Sequence, residues 1–178
     1  MFDPEELIEK GWEAVRAGHL GDARDLFAQA GAESRFNPDR RLRARALAAL
    51  AKVERDLLRH VTAVEKYRES AAIYKALGDE LAWAHVVRHV ADIFREQKKL
   101  QESSTAYQEA FAVYSRRTDG DGLDFANALR GFALLKDALG YRDEALLMWR
   151  CAIPLYQAAG VAAGVVECQS NIAFLMGH

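Results

Sequence analysis

His85, His89 and Asp92 are the residues whose types and spacing come closest to a reactive constellation in this 178-residue chain. At steps of four and three they fall along one face of a helix. Two imidazoles and a carboxylate so placed could hold zinc, and an open fourth position would permit hydrolysis. Arg88 stands among them, however, and forms a good i,i+4 ion pair with Asp92. Its guanidinium opposes a dication, and no second group of ligands completes a closed structural site. The three therefore read as a polar network or a partner-facing surface. Neither a metal nor a cofactor is expected.

Other reactive motifs are missing. There is no phosphate-cradling Gly-x4-Gly-Lys loop and no Gly-x-Ser-x-Gly nucleophile turn. Gly18, Gly21 and Gly31 flank a helix and precede no strand, which excludes dinucleotide binding. Ser103 and Ser104 open a helix and serve capping and close packing. Cys151 and Cys168 lack metal or redox spacing, and both read as small hydrophobes on apolar helix faces. Lys and Arg number 24 against 26 Asp and Glu, a net charge of −2 that gives no global pull toward nucleic acid or anionic membrane. The acidic start at Met1–Lys10 lacks the basic and apolar segments of a signal peptide. No apolar run approaches the roughly 20 residues of a membrane helix. A cytoplasmic protein is expected.

What positions these residues is a repeat. Phe27, Tyr67 and Tyr107 are forty apart, and Trp149 follows forty-two later. The same steps relate Ala23, Ala63, Ser103 and Ala145, and again Ala30, Ser70, Ala110 and Ala152. Each unit thus repeats small-x3-aromatic-x2-small, and Tyr74, Tyr114 and Tyr156 close successive units. Small residues at Gly11, Ala51, Ala91 and Ala133 stand twelve positions before the one that opens the second helix. The reason is steric: antiparallel helices approach closely only where one contributes little side chain and an aromatic fills the space beside it.

This pattern resembles the tetratricopeptide repeat (TPR) family, whose helix pairs carry small residues at the crossings and an aromatic midway along the second helix. It covers nearly the whole chain. The period of forty to forty-two, against about thirty-four in the common repeat, and the missing terminal proline point to the long-repeat type of bacterial regulators and kinesin-light-chain-like members. The resemblance implies an all-α, right-handed superhelical solenoid of antiparallel helix pairs, about nine helices in all.

Apolar spacing predicts helices over residues 4–17 with 20–34, 40–56 with 59–77, 80–97 with 100–117, and 122–138 with 141–158, then a last helix over 161–176. Asn37-Pro38-Asp39 signals a turn and a helix start, and Asp119–Gly122 a polar loop. Pro154 falls inside a helix that it should bend. No linker divides residues 1–178, which read as one domain. The last helix, with Phe174 and Met176, has no following partner. It either packs on the fourth unit or exposes a patch that makes a homodimer.

In the family resembled, first helices line the concave surface. Counted from the small crossing residues, the groove positions are Arg45, Lys52 and Arg55, then His85, Arg88, Asp92 and Arg95, then Asn127 and Arg130. With Asp137 in the last row, six cations face two acids in a slightly acidic chain. Such a groove would focus field on an anionic partner, and arginine forks suit carboxylates. The competing reading is a solvated face whose charges neutralise one another. Ala49, His89 and Gly131 do not reproduce the family's carboxylate clamp. The expectation is a non-enzymatic scaffold that binds a protein or peptide, acidic in character, with no nucleic acid and no membrane partner. A regulatory sensor of a small peptide or anion is the alternative, and a metal enzyme at His85, His89 and Asp92 a remoter one.

Overall fold

The computed structural model describes residues 2–116 and 122–177, and among them it is all helix. The helices are α1 Pro4–Arg16, α2 Leu20–Glu33, α3 Arg40–Asp56, α4 His60–Ala76, α5 Glu80–Glu96, α6 Leu100–Tyr114, α7 Gly122–Ala138, α8 Arg142–Ala158 and α9 Ala162–Met176. Every helix expected from periodicity is present. The expected loop at Asp119–Asp121 and the helix end at Arg117 lie outside the described residues.

Side-chain chemistry sets the starts of α1 and α3. Asp3 accepts from the Glu5 amide with Pro4 at the first helical position, where a missing N–H costs nothing. Asn37 accepts from the Asp39 amide and Asp39 from that of Arg41, so Asn37-Pro38-Asp39 opens α3. A single 3-10 turn, Ser34–Phe36, precedes it and was not foreseen. Its signal is Ser34, whose buried hydroxyl donates to Ala30 O and holds the chain in a tight turn. Pro154 does not interrupt α8, which runs unbroken from Arg142 to Ala158.

The chain divides into two compact units at Ile93/Phe94, a point within α5. In the first, Leu7, Ile8, Ala23, Phe27, Ala30, Leu42, Ala46, Leu50 and Val53 form one core. In the second, Trp149 is packed among Ala126, Leu129, Ala133, Ala145, Ala152, Tyr156, Cys168 and Leu175. All four repeat aromatics are sealed: Phe27 is 0% exposed, and Tyr67, Tyr107 and Trp149 are 1%. A Cβ at Gly11 would collide with the Phe27 ring, and one at Gly131 with Tyr107. Those two glycines are therefore packing residues. Cys168 is buried as expected, but Cys151 is exposed, because α8 turns it away from that core.

Candidate functional site

The residues singled out for chemistry converge in the first unit, where α5 presents His85, Arg88, His89 and Asp92 toward groups from α3 and α4. Arg88 Nη1 donates to Asp92 Oδ2 at 3.3 Å, and Arg55 Nη1 of α3 lies 3.7 Å from the same oxygen. Arg88 Nη2 lies 3.1 Å from His89 Nε2, which is 3.3 Å from His85 Nε2. Below, the His89 ring stacks on Tyr67 of α4, with centroids 5.3 Å apart and planes at 10°.

This geometry assigns the tautomers. A guanidinium only donates, so His89 Nε2 accepts and its proton sits on Nδ1, which faces Asp92 Oδ2 at 3.6 Å. His85 Nε2 must then be the donor to His89. The imidazoles are turned on each other and on Arg88, not on a shared point, and no metal-type cluster of three ligands occurs among the described residues.

Burial dominates the electrostatics. It pushes the Tyr67 phenol well above its usual range. It also lowers His89 to about 4; Asp92 works against that shift, and Arg88 and His85 add to it. His89 is therefore neutral in the folded chain at neutral pH, whereas the unfolded chain takes up a proton near 6.5. Stability should be complete above pH 6.5, fall as pH drops from 6.5 to about 4, and lose nothing further to this group below that. The gap amounts to roughly 3 kcal/mol at about 1.4 kcal/mol per unit. Denaturation midpoints across this range should show the slope in wild type and not in His89→Phe. An identical slope in both would assign it elsewhere.

The other groove candidates are distributed as follows. Arg45 is exposed and reaches Glu5 of α1 at 3.2 Å, and Lys52 reaches Asp56 at 2.8 Å. In the second unit Arg130 binds Glu167 of α9 at 2.7 Å. There Asn127 Oδ1 accepts from the Tyr156 hydroxyl at 2.9 Å. The Arg95 Nε is buried with no hydrogen-bond partner among the described residues. So Arg45, Lys52, Arg55, Arg88 and Arg130 each face an acid of the chain itself. For Arg45 the acid is Glu5, which occupies the same repeat position one period earlier in the chain.

A second departure concerns Arg88 and Asp92. Both are only 7% exposed, so they belong to the interior rather than to an open surface. Tyr67, which supports His89 from beneath, was read from sequence as a packing residue alone.

No helix among the described residues is long and apolar enough to cross a membrane. Neither protein-family models nor curated proteins match the sequence. Solved structures do match. BtubC from P. vanneervenii aligns with a TM-score of 0.74 at 18% identity, over 97% of this chain and 79% of its own. Aspartyl phosphate phosphatase F from Bacillus subtilis gives 0.87 at 13% identity over 97% of this chain, which spans 45% of the phosphatase. A kinesin light chain from Podosopora anserina with nearly identical TPR-like repeats gives 0.71 at 16% identity, over 99% of this chain and 97% of its own. At such identities the likeness is one of fold.

Proposed function

We infer that this chain, tetratricopeptide-like in fold, is a cytoplasmic protein-interaction scaffold rather than an enzyme, and that its two units form one repeat domain. Its partner is a protein or peptide segment rich in carboxylates, not nucleic acid or membrane. The observation that carries this reading is the row of cations on α3. Arg45, Lys52 and Arg55 follow at seven and three residues, on one face, with Arg45 and Lys52 exposed at their charged ends. Arg130 and Asn127 offer a similar pairing of cation and amide in the second unit.

The internal acids define how such a partner would bind. Exposed ion pairs such as Arg45–Glu5 and Lys52–Asp56 contribute about 0–1 kcal/mol. A partner carboxylate can exchange with Glu5 or Asp56 at little cost, and the arginine fork then gains a bidentate contact. Arg88 and Asp92 take no direct part: Asp92 ties α5 to α3 through Arg55, and Arg88 braces Asp92 within α5.

Fluorescence anisotropy with synthetic acidic, neutral and basic peptides tests the reading. Acidic peptides should bind, more weakly as salt rises, and Arg45→Glu with Lys52→Glu should cost roughly tenfold or more in affinity. Equal binding of basic peptides, or indifference to the double charge reversal, would sink it. The buried His89 network supports a second reading, a sensor of a small peptide or anion, and competition by a free dicarboxylate would favour that. Phe174 and Met176 of α9 are exposed, which supports a homodimer through this helix; sedimentation of the free chain in the same buffers reports it.

A further inference from the structure

The first helix of each pair buries the same three positions. In α7 they are Ala126, Leu129 and Ala133, none more than 3% exposed, and α8 closes over them with Trp149 in the same cluster. In α3 they are Ala44, Leu47 and Ala51, covered by α4, whose Ser70 Oγ donates to Ala44 O at 2.8 Å. α1 and α5 bury their counterparts as well. A further step of forty brings this register to Val166, Gln169 and Ala173 of α9. There it is open: Val166 is 60% exposed, Gln169 exposed and Ala173 half-buried. α9 thus carries the face that receives a second helix, and no helix among the described residues follows to cover it.

The chemistry of that face selects what covers it. A first helix left open to water needs a polar outer surface, and α9 does not have one. Its single charged residue, Glu167, is turned to Arg130 of α7 at 2.7 Å. Exposed beside the register positions are Phe174 and Met176, with Arg150 of α8 against Met176 Sδ at the rim. A face without charge of its own can meet a copy of itself with no like-charge repulsion. It is also self-complementary in size. In an antiparallel pair about a twofold axis between Gln169 and Ser170, positions 166 and 173 face each other. The larger Val166 of each copy then meets the smaller Ala173 of the other. Gln169 falls at the centre, where an amide that both donates and accepts can bond to its own copy. An antiparallel crossing over a small residue is the contact that α7 and α8 already make.

We propose that two copies of the chain pack antiparallel through Val166, Gln169 and Ala173, each supplying the helix that the other's α9 lacks. The inference rests on the homodimer reading and deepens it, from an exposed helix to a register that substitutions can address. It is independent of the cationic α3 face, which a dimer carries twice.

Sedimentation equilibrium of the full chain tests it. Wild type should be a dimer, and Val166→Glu and Ala173→Glu should each weaken association roughly tenfold or more, since each sets a carboxylate into an apolar contact twice over. Val166 is open in the single copy, so circular dichroism should show the helix content of Val166→Glu unchanged. Val166→Glu combined with Ala173→Lys places opposite charges across the twofold in this register, and it should recover the dimer that Val166→Glu loses. A wild-type chain that stays monomeric removes both this proposal and the homodimer reading. A dimer that ignores Val166→Glu leaves the homodimer but overturns this face. A double variant no better than Val166→Glu overturns the antiparallel register. The scaffold reading is judged apart from these, by acidic-peptide binding to Val166→Glu, which should match wild type chain for chain.

Discussion

Trp149→Ala should lower the stability of the second unit by about 3–5 kcal/mol, the range for deleting a large aromatic from a packed interior. The indole is 1% exposed, and small residues surround it on α7 and α8: Ala133, Ala145 and Ala152 are each fully buried. Alanines have no rotamers with which to collapse into a vacated space, so the cavity should persist and the cost should sit toward the top of the range. Chemical denaturation followed by far-ultraviolet circular dichroism measures it. A midpoint within error of wild type would mean that the repeat aromatic does not hold the pair together, and would undo the packing account of the fold.

Arg88→Glu is expected to be as damaging, for electrostatic reasons. The substitution removes the donor to Asp92 Oδ2 and to His89 Nε2 and sets a second carboxylate beside the first, in a region where the native side chain is 8% exposed. Breaking a buried pair from one side costs about 3–5 kcal/mol. The sequence places Arg88 among the groove positions, and its burial gives it a structural role that those positions do not require. Replacing both partners, as Arg88→Met with Asp92→Leu, should recover most of the loss, because no uncompensated charge then remains buried. A single variant that melts with wild type would restore Arg88 to the surface.

The contrast between those two residues shows where the sequence is legible. Trp149 was identifiable because packing repeats. A position that must be aromatic in one helix pair must be aromatic in the next, and the steps of forty among Phe27, Tyr67 and Tyr107 and of forty-two to Trp149 expose the constraint in four units. The start of α3 was as clear, since Asn37 and Asp39 carry the capping chemistry in their own side chains. The site was less so. Helical phase places Arg45, Lys52 and Arg55 on one face but says nothing about an acid on another helix. Glu5 meets Arg45 across α1 and α3, and Glu167 meets Arg130 across α7 and α9. Nor does phase separate a groove residue from one that a neighbouring helix has closed over. Arg88 and Asp92 fall on the second side of that line: both are buried, with Arg55 of α3 against Asp92 and Arg88 bonded to His89, which stacks on Tyr67. The 3-10 turn at Ser34–Phe36 was missed for a related reason, as one hydroxyl bonded to Ala30 O has no periodicity to betray it.

The packing of helices on those next to them in sequence, α1 on α2, α3 on α4 and α7 on α8, has a kinetic consequence. Contacts between residues near in sequence close short loops, and short loops form with little search, so chains built this way collapse in microseconds to milliseconds. Any of these pairs can act as the seed, since each buries its own aromatic between its own two helices or against the next. For a nascent chain leaving the ribosome, the core around Phe27 is complete once α3 has emerged, since Leu42, Ala46, Leu50 and Val53 form its other side. Those helices can shelter their apolar faces while the residues of α7 and α8 are still to be synthesised.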